Sequence, residues 1–200
     1  MALVEVTTLA RVKALLDMSV SVTTQDAVLN ALIAGVSQRF EGFIGRPISA
    51  EARTEVYDWP DNRRTSLFLR AYPVSSVATI KNATDWDFSA ATALDAADFN
   101  VDAETGEVVF VSPLLTGTRV VQVVYTAGLA ANTAALIAAH PVIASAGDLQ
   151  VAAVWRRRAS PQGSVSLIPG QGSLTQESAL DLIPEVQSAL WPYRRVRFGV

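Results

Sequence analysis

The residue types that most often carry out catalysis are scarce in this chain. It contains one histidine, His140, and no cysteine, which excludes a thiol nucleophile, a disulfide and a thiolate metal site. His140 directly precedes Pro141, and we interpret it as a capping or loop residue at a helix start. Any metal site would have to consist mostly of carboxylates.

The carboxylates that merit a test for chemistry fall into two groups. The first is Asp58, Asp61, Asp85 and Asp87, and the second is Asp98, Asp102 and Glu104. The first group could supply a general acid and base, but the sequence gives no pairing among its members. The second group misses the ligand spacing of an EF-hand and flanks a predicted hairpin, so we interpret it as turn chemistry.

Glycine-containing motifs of catalysis are also missing from the sequence. Residues 163–172 contain glycines but lack the Lys-Ser/Thr of a phosphate-binding loop, and no Gly-x-Ser-x-Gly elbow occurs. We therefore predict a protein that is not an enzyme, that binds no cofactor and no metal, and that works as a subunit of an assembly.

The C-terminal tail carries the residue types that most often anchor protein interfaces. Trp191 and Tyr193 flank Pro192, and two arginines follow. The tail either folds back onto the body or docks onto a partner. Our hypothesis for the partner-docking residues is Leu190, Trp191, Tyr193, Arg194 and Arg195.

The first fifty residues are predicted to form two helices. Thr7 or Thr8 caps a short helix, and Thr23 or Thr24 starts a longer one, with Asp26 completing a capping box against Thr23. The longer helix has an apolar face at helical spacing that consists of Leu29, Leu32, Ile33, Val36, Phe40, Phe43 and Ile44. Gly45 suits the position that ends this helix.

Residues 52–128 contain a series of short segments that are predicted to be β-strands. The strongest strand is predicted at 119–126, and residues 103–106 form a hairpin turn between strands at 99–102 and 107–111, since Gly106 can adopt a positive φ. A second long helix is predicted at 142–158, with Ile143, Ala146, Leu149, Ala153 and Trp155 on its buried side. Residues 160–172 are predicted to be a flexible linker, and Pro184 starts a short helix that Pro192 stops.

The predicted fold class is α+β: a small helical bundle with two long helices, an inserted antiparallel β-sheet or sandwich, and an extended C-terminal tail. We divide the chain into N-terminal bundle helices (1–50), the β insertion (51–128), the helix that completes the bundle (129–159), and a linker with a docking tail (160–200).

Charge is unevenly distributed along the chain. Residues 1–150 hold ten basic and sixteen acidic side chains, a net charge of −6, whereas residues 151–200 hold six arginines and three acids, a net charge of +3. Such asymmetry suits either head-to-tail contacts between subunits or a weak nucleic-acid tail. The N-terminal residues lack the features of a signal peptide, and no apolar run of about 18 residues predicts a membrane span, so we expect cytoplasmic synthesis and no membrane partner.

In order and spacing, these motifs resemble the head–tail connector (head–tail adaptor) family of tailed bacteriophages. The segments that carry the resemblance are residues 9–16, 24–29, 43–47, 67–69, 72–77, 121–128 and 183–195. Among them, the Gly-Arg pair that ends the second helix and the Tyr-x-x-Gly stop after the strongest strand are similar to the family's pattern.

The resemblance implies a virion neck protein that is assembled in the cytoplasm of a bacterial host. About twelve copies would form a ring beneath the portal of the filled head and receive the next neck or tail protein. The genome would pass through the lumen without tight binding. Alternative hypotheses are another neck component (a stopper or tail terminator), a small nucleic-acid-binding module, and an enzyme with a carboxylate-only site.

Overall fold

A computed structural model describes residues 4–61, 63–159 and 181–195. The predicted linker at 160–172 lies outside the described residues. The helices are α1 Leu9–Leu15, α2 Asp26–Ile44, α3 Thr133–Ala139, α4 Pro141–Ala159 and α5 Pro184–Leu190, followed by a 3-10 turn, Trp191–Tyr193. The strands are β1 Glu51–Trp59, β2 Ser66–Phe68, β3 Val74–Asn82, β4 Phe99–Asp102, β5 Glu107–Phe110 and β6 Gly117–Ala127.

The chain divides into two compact units. The helical unit comprises Met1–Gly45 and Asn132–Val200, and the β unit comprises Arg46–Ala131. The β unit is a few residues longer at each end than the insertion predicted from sequence. The physical reason is a bridge between Ser49 and Ala130, reinforced by hydrogen bonds between neighbouring backbone groups, which ties together the two chain segments that flank the sheets.

The starts of α1 and α2 are built differently. Thr8 caps α1 as predicted, since its side chain accepts a hydrogen bond from the backbone N–H of Arg11. The predicted capping box at Thr23 is wrong: α2 begins at Asp26 with Gln25 at the cap and no side-chain capping bond. Asp26 instead pairs with the Nζ of Lys13, 2.5 Å away, because the buried amine requires a counter-charge.

The core of the helical unit surrounds α4. The buried side chains on α2 recur every three to four residues and pack towards α4; they are Leu29, Ile33, Val36, Phe40 and Ile44. α2 ends at Gly45, whose φ of 69° lies in the left-handed region as the sequence predicted. No single helix in the described ranges is long and apolar enough to cross a membrane; α3 and α4 reach that length and hydropathy only as a pair bent by 114°.

The β unit contains two three-stranded antiparallel sheets. Their strand orders are β1-β6-β3 and β2-β5-β4, and β6 forms the centre of the first sheet. The predicted hairpin is confirmed: β4 pairs with β5 around a turn in which Gly106 has a φ of 73°. Both sheets contribute to one buried core, in which the ring of Trp59 from β1 meets the edge of Phe110 from β5 at 5.3 Å.

Candidate docking surface at the C-terminal turn

A buried glutamine fixes the point where the C-terminal segment joins the helical unit. Gln150 lies on α4 and is 1 % exposed. Its Nε2 donates to the backbone oxygen of Asp181, and its Oε1 accepts from the backbone N–H of Ile183, both at 3.0 Å. Because both polar groups of the amide are used, the backbone just before α5 has a defined position.

Helix α5 then packs against α4 and α2. Pro184 occupies its first turn, as predicted. Val186 and Leu190 are four residues apart, lie on one face, and are fully buried. Of the two alternatives that the sequence left open, the described part of the tail folds back onto its own subunit.

Leu190 therefore needs a correction as a docking residue. It is completely buried because the helical period places it on the same side as Val186. Its role in this subunit is to hold α5 in place. The remaining residues of the docking hypothesis are Trp191, Tyr193, Arg194 and Arg195.

The turn after α5 presents an exposed tryptophan under an arginine. The side chain of Trp191 is 64 % exposed. The guanidinium carbon of Arg194 lies 4.7 Å from the Trp191 ring centroid and 5.2 Å from the Phe43 ring centroid. A cation over two aromatic faces is held in a narrow range of orientations.

The turn is tied to the end of α2 through the backbone. The N–H of Arg195 donates to the carbonyl oxygen of Ile44 at 2.7 Å. This carbonyl belongs to the last turn of α2, where it has no partner within the helix. Tyr193 packs its ring edge-on against His140 at 5.6 Å. Both contacts fix the turn to the helical unit.

A groove of about 830 Å³ opens between the turn and the end of α2. Its lining residues are Gly42, Phe43, Ile44, Gly45, Trp191, Pro192, Arg194 and Arg195. We name the aromatic and arginine residues of this groove the docking surface, defined by Phe43, Trp191, Arg194 and Arg195. It combines apolar rings with two guanidinium groups, and tryptophan and arginine are enriched at interface hot spots.

A second, apolar groove lies between α4 and α5. Val142 and Leu149 are 47 % and 48 % exposed there, so the prediction that Leu149 is buried is wrong. α4 is buried on most of its circumference, including Ile143 and Ala146 as predicted, and only one stripe is left open. Apolar residues occur all round this helix, so periodicity could not identify the exposed side.

The residues that sequence analysis weighed for chemistry have structural tasks. His140 closes α3, donating its backbone N–H to Leu136 at 2.8 Å. The Asp102 carboxylate binds the hairpin turn, and hydrogen bonds from Thr105 and then Glu104 lower its pKa. Both findings confirm the sequence interpretation. In the part of the chain that the structure describes, no three His, Asp or Glu side chains gather where they could hold a metal.

The helical unit with its β insertion confirms the α+β class predicted from sequence. The family model of the head completion proteins matches residues 5–196. The chain therefore belongs to the head completion protein family. This confirms the predicted membership of a phage head–tail connector family and identifies a structural protein of a virus-like particle.

Solved structures show the same fold over the full length. A chain in the neck of an empty gene transfer agent particle, computed with C6 symmetry, has a TM-score of 0.62 and 18% identity, and the match covers 100% of this chain and 98% of that one. A chain in the neck of the native particle, computed with C12 symmetry, has a TM-score of 0.58 at the same identity and coverage. None of the curated protein sequences matches this chain.

Proposed function

We propose that this chain is the head–tail connector subunit of a phage-like particle. About twelve copies form a ring beneath the portal, join the filled head to the next neck or tail protein, and leave a channel for the genome. Assembly takes place in the cytoplasm of the bacterial host, and the subunit does no covalent chemistry. The observation that carries the portal contact is the exposed Trp191–Arg194 stack held on a rigid base.

The proposed ring is supported by the assemblies in which the similar chains occur. Those chains come from necks described with C6 and C12 symmetry. A repeated head-to-tail contact closes into a ring when the rotation between copies divides a full turn. The two 19-residue helices α2 and α4 give each copy a stiff body that can keep this rotation constant. They also favour an adaptor over a stopper or tail terminator, since those neck proteins are often dominated by strands.

The portal contact is supported by the chemistry of the docking surface. Tryptophan and arginine are the residues most enriched at interface hot spots. Arg194 is held by two rings, so little side-chain entropy is lost when a partner carboxylate binds it. The backbone bond from Arg195 to Ile44 keeps the surface in place before the partner arrives.

The docking proposal is tested with DNA-filled heads that lack this protein. The double variant Trp191→Ala/Arg194→Ala should bind such heads about tenfold more weakly or worse, as expected for loss of a hot-spot pair. Co-sedimentation with heads measures the binding, and circular dichroism checks the fold. Trp155→Ala/Arg158→Ala is the matched control, because it removes another Trp–Arg pair from the same unit and should bind heads like the unmodified chain. Equal binding by the docking variant would contradict the proposal.

Passage of DNA does not require affinity for DNA. The chain has a net charge of −3, and a lumen that bound phosphates strongly would retain the genome. We expect purified protein to show little binding to duplex DNA in a gel-shift at physiological salt. Tight, salt-sensitive binding would instead favour a nucleic-acid-binding module.

A further inference from the structure

Three arginines of the β unit surround one concave pocket of about 450 Å³. They are Arg64, Arg70 and Arg119, and the remaining lining residues are Val56, Tyr57 and Asp58 of β1. Arg64 follows β1 and Arg70 follows β2, and Arg119, far from both in sequence, joins them because its strand β6 pairs with β1. We name this feature the arginine pocket.

The three guanidinium groups make no ion pair within the described parts of the chain. Each lies over an aromatic ring instead: Arg64 over Trp59 at 5.3 Å, Arg70 over Tyr57 at 5.6 Å, and Arg119 over Trp86 at 5.7 Å. Aromatic faces orient a guanidinium without neutralising it. The pocket therefore presents pre-oriented positive charge.

The backbone around the pocket is held by a polar network. The Tyr57 hydroxyl donates to Glu55, and the N–H of Arg70 lies 3.2 Å from both the Glu55 carboxylate and the Tyr57 oxygen. Burial, followed by the hydrogen bond to Glu55, raises the pKa of Tyr57 well above its ordinary range, so its hydroxyl remains a donor. This network fixes the position of Arg70.

Arg119 adopts a backbone conformation that is unfavourable for residues other than glycine. Its φ is 57°, in the left-handed region. The Asp58 carboxylate stabilises this geometry by accepting the backbone N–H of Arg119 at 2.7 Å. Backbone strain of this kind is concentrated at functional sites, which supports a role for Arg119 in recognition.

The opposite charge is concentrated in the same unit. Residues 82–118 contain seven Asp and Glu side chains and no Lys or Arg. Among the described residues, none of the seven forms an ion pair. Some of them bind turn backbone, but Asp85 and Asp95, in the loop that follows β3, are exposed and their carboxylates accept no hydrogen bond within the described chain.

The acidic loop extends from the arginine pocket towards the far edge of the sheet. Its Trp86 lies under Arg119, whereas Asp95 lies beyond β3, since the N–H of the neighbouring Leu94 donates to the carbonyl oxygen of Ile80 on that strand at 2.8 Å. The strand order is β1-β6-β3, so Asp95 and the β1 residues of the pocket lie at opposite edges, and surfaces of opposite sign at opposite edges are complementary between copies in a head-to-tail arrangement.

We propose that the arginine pocket binds the acidic loop of the next copy of this chain, with Asp85 and Asp95 supplying the carboxylates. The inference deepens the proposed function, because it rests on the ring and names the contact between its subunits. A second copy is favoured over nucleic acid, since residues 46–131 carry seven basic and eleven acidic side chains, a net charge of −4 that repels a polyanion.

Two charge-reversal variants test the contact. The pocket variant is Arg70→Glu/Arg119→Glu, and the loop variant is Asp85→Lys/Asp95→Lys. Self-association of the purified chain is measured by sedimentation over a wide concentration series at low ionic strength, where exposed charges interact most strongly. The unmodified chain should associate, association should weaken with salt, and each variant should associate about tenfold more weakly or worse.

Mixing the two variants separates a lost contact from a damaged fold. In an equimolar mixture, the acidic pocket of one variant faces the basic loop of the other, and the remaining pair is unmodified, so association should return. An alternating ring closes with an even number of copies, and twelve satisfies this condition. A chain that carries all four substitutions should also regain self-association.

Other outcomes overturn the proposal. These are an unmodified chain that stays monomeric throughout the series, variants that associate normally, and a mixture that does not recover. Salt-sensitive binding of a labelled duplex by the unmodified chain that the pocket variant loses would show a phosphate site instead. Head binding is measured separately through the docking surface, so a failure of the proposed function and a failure of this contact give different results.

Discussion

The two units of this protein use charged side chains in different ways. In the helical unit, buried or half-buried charges find partners inside the unit: Arg11 with Asp148, and Lys13 with Asp26. In the β unit, the three arginines of the arginine pocket lie on aromatic rings, and the acids of residues 82–118 form no ion pair in the described chain.

The difference separates charges that hold the fold from charges that are available to a neighbour. A buried charge without a partner costs several kcal/mol, so the helical unit must pair its own. An exposed charge stays hydrated at little cost, so the arginine pocket and the acids of residues 82–118 can remain without an ion pair until another copy supplies the opposite sign. Substitutions of paired charges in the helical unit should therefore lower the free energy of unfolding, whereas substitutions in the arginine pocket should weaken self-association.

The largest effect on stability is expected from Asp148→Ala in the helical unit. Its carboxylate binds the buried Thr7 hydroxyl and receives the Arg11 guanidinium at 2.6 and 3.1 Å. Removal leaves Thr7 without its acceptor and should lower the free energy of unfolding by about 3 kcal/mol. Urea unfolding followed by circular dichroism measures the loss. A change below about 0.5 kcal/mol would show that this network does not hold the fold.

A smaller loss is expected from Gln150→Leu, which keeps the volume and removes both hydrogen bonds to the segment before α5. The free energy of unfolding should fall by about 1–2 kcal/mol, because the backbone groups of Asp181 and Ile183 lose their buried partner. Binding to filled heads should weaken as well, since the docking surface follows α5. Limited proteolysis should cut the variant faster near residue 181, and Ser188→Ala, on the exposed side of α5, serves as the control.

Alkaline pH should destabilise the β unit specifically. Burial raises the pKa values of Tyr57 and Tyr125 above their ordinary value of 10.0, and Glu55 raises them further. A tyrosine whose pKa is higher in the folded state contributes stability that is complete below pH 10 and is lost as the pH rises beyond it. Unfolding midpoints should therefore fall above pH 10, and Tyr57→Phe/Tyr125→Phe should flatten this dependence. An unchanged slope in the double variant would contradict the assignment.

The smallest effect on stability is expected from Arg119→Gly. Glycine adopts the φ of 57° without strain, so the free energy of unfolding should change by less than about 1 kcal/mol. Self-association should nevertheless weaken, because one of the three guanidinium groups is gone. If the variant lost much stability but self-associated normally, Arg119 would contribute to folding and not to recognition.

Local signals in the sequence were sufficient for most of the secondary structure. Gly45 and Gly106 mark the end of α2 and the β4–β5 turn because their positive φ values suit glycine. Pro184 marks the start of α5 because a proline at this position loses no helical hydrogen bond. The Thr23 cap was mispredicted because the competing partner of Asp26 is Lys13, which a local pattern does not reveal.

The candidate sites depend on contacts between residues that are distant in sequence, so they were harder to predict from the sequence. Trp191 and Arg194 were named from their types, but Arg194 reaches the Phe43 ring as well as the Trp191 ring only because α5 folds back. Leu190 looked equivalent to them until the packing of α5 buried it. The arginine pocket was missed, because strand pairing brings Arg119 beside Arg64 and Arg70 and no spacing in the sequence signals it.

Electron microscopy of DNA-filled heads incubated with the purified chain tests the central claim most directly. The account predicts a closed ring of about twelve copies coaxial with the portal, with the Trp191–Arg194 stack on the portal side and each arginine pocket against the acidic loop of its neighbour. Density away from the portal vertex, or single copies that do not close into a ring, would contradict it.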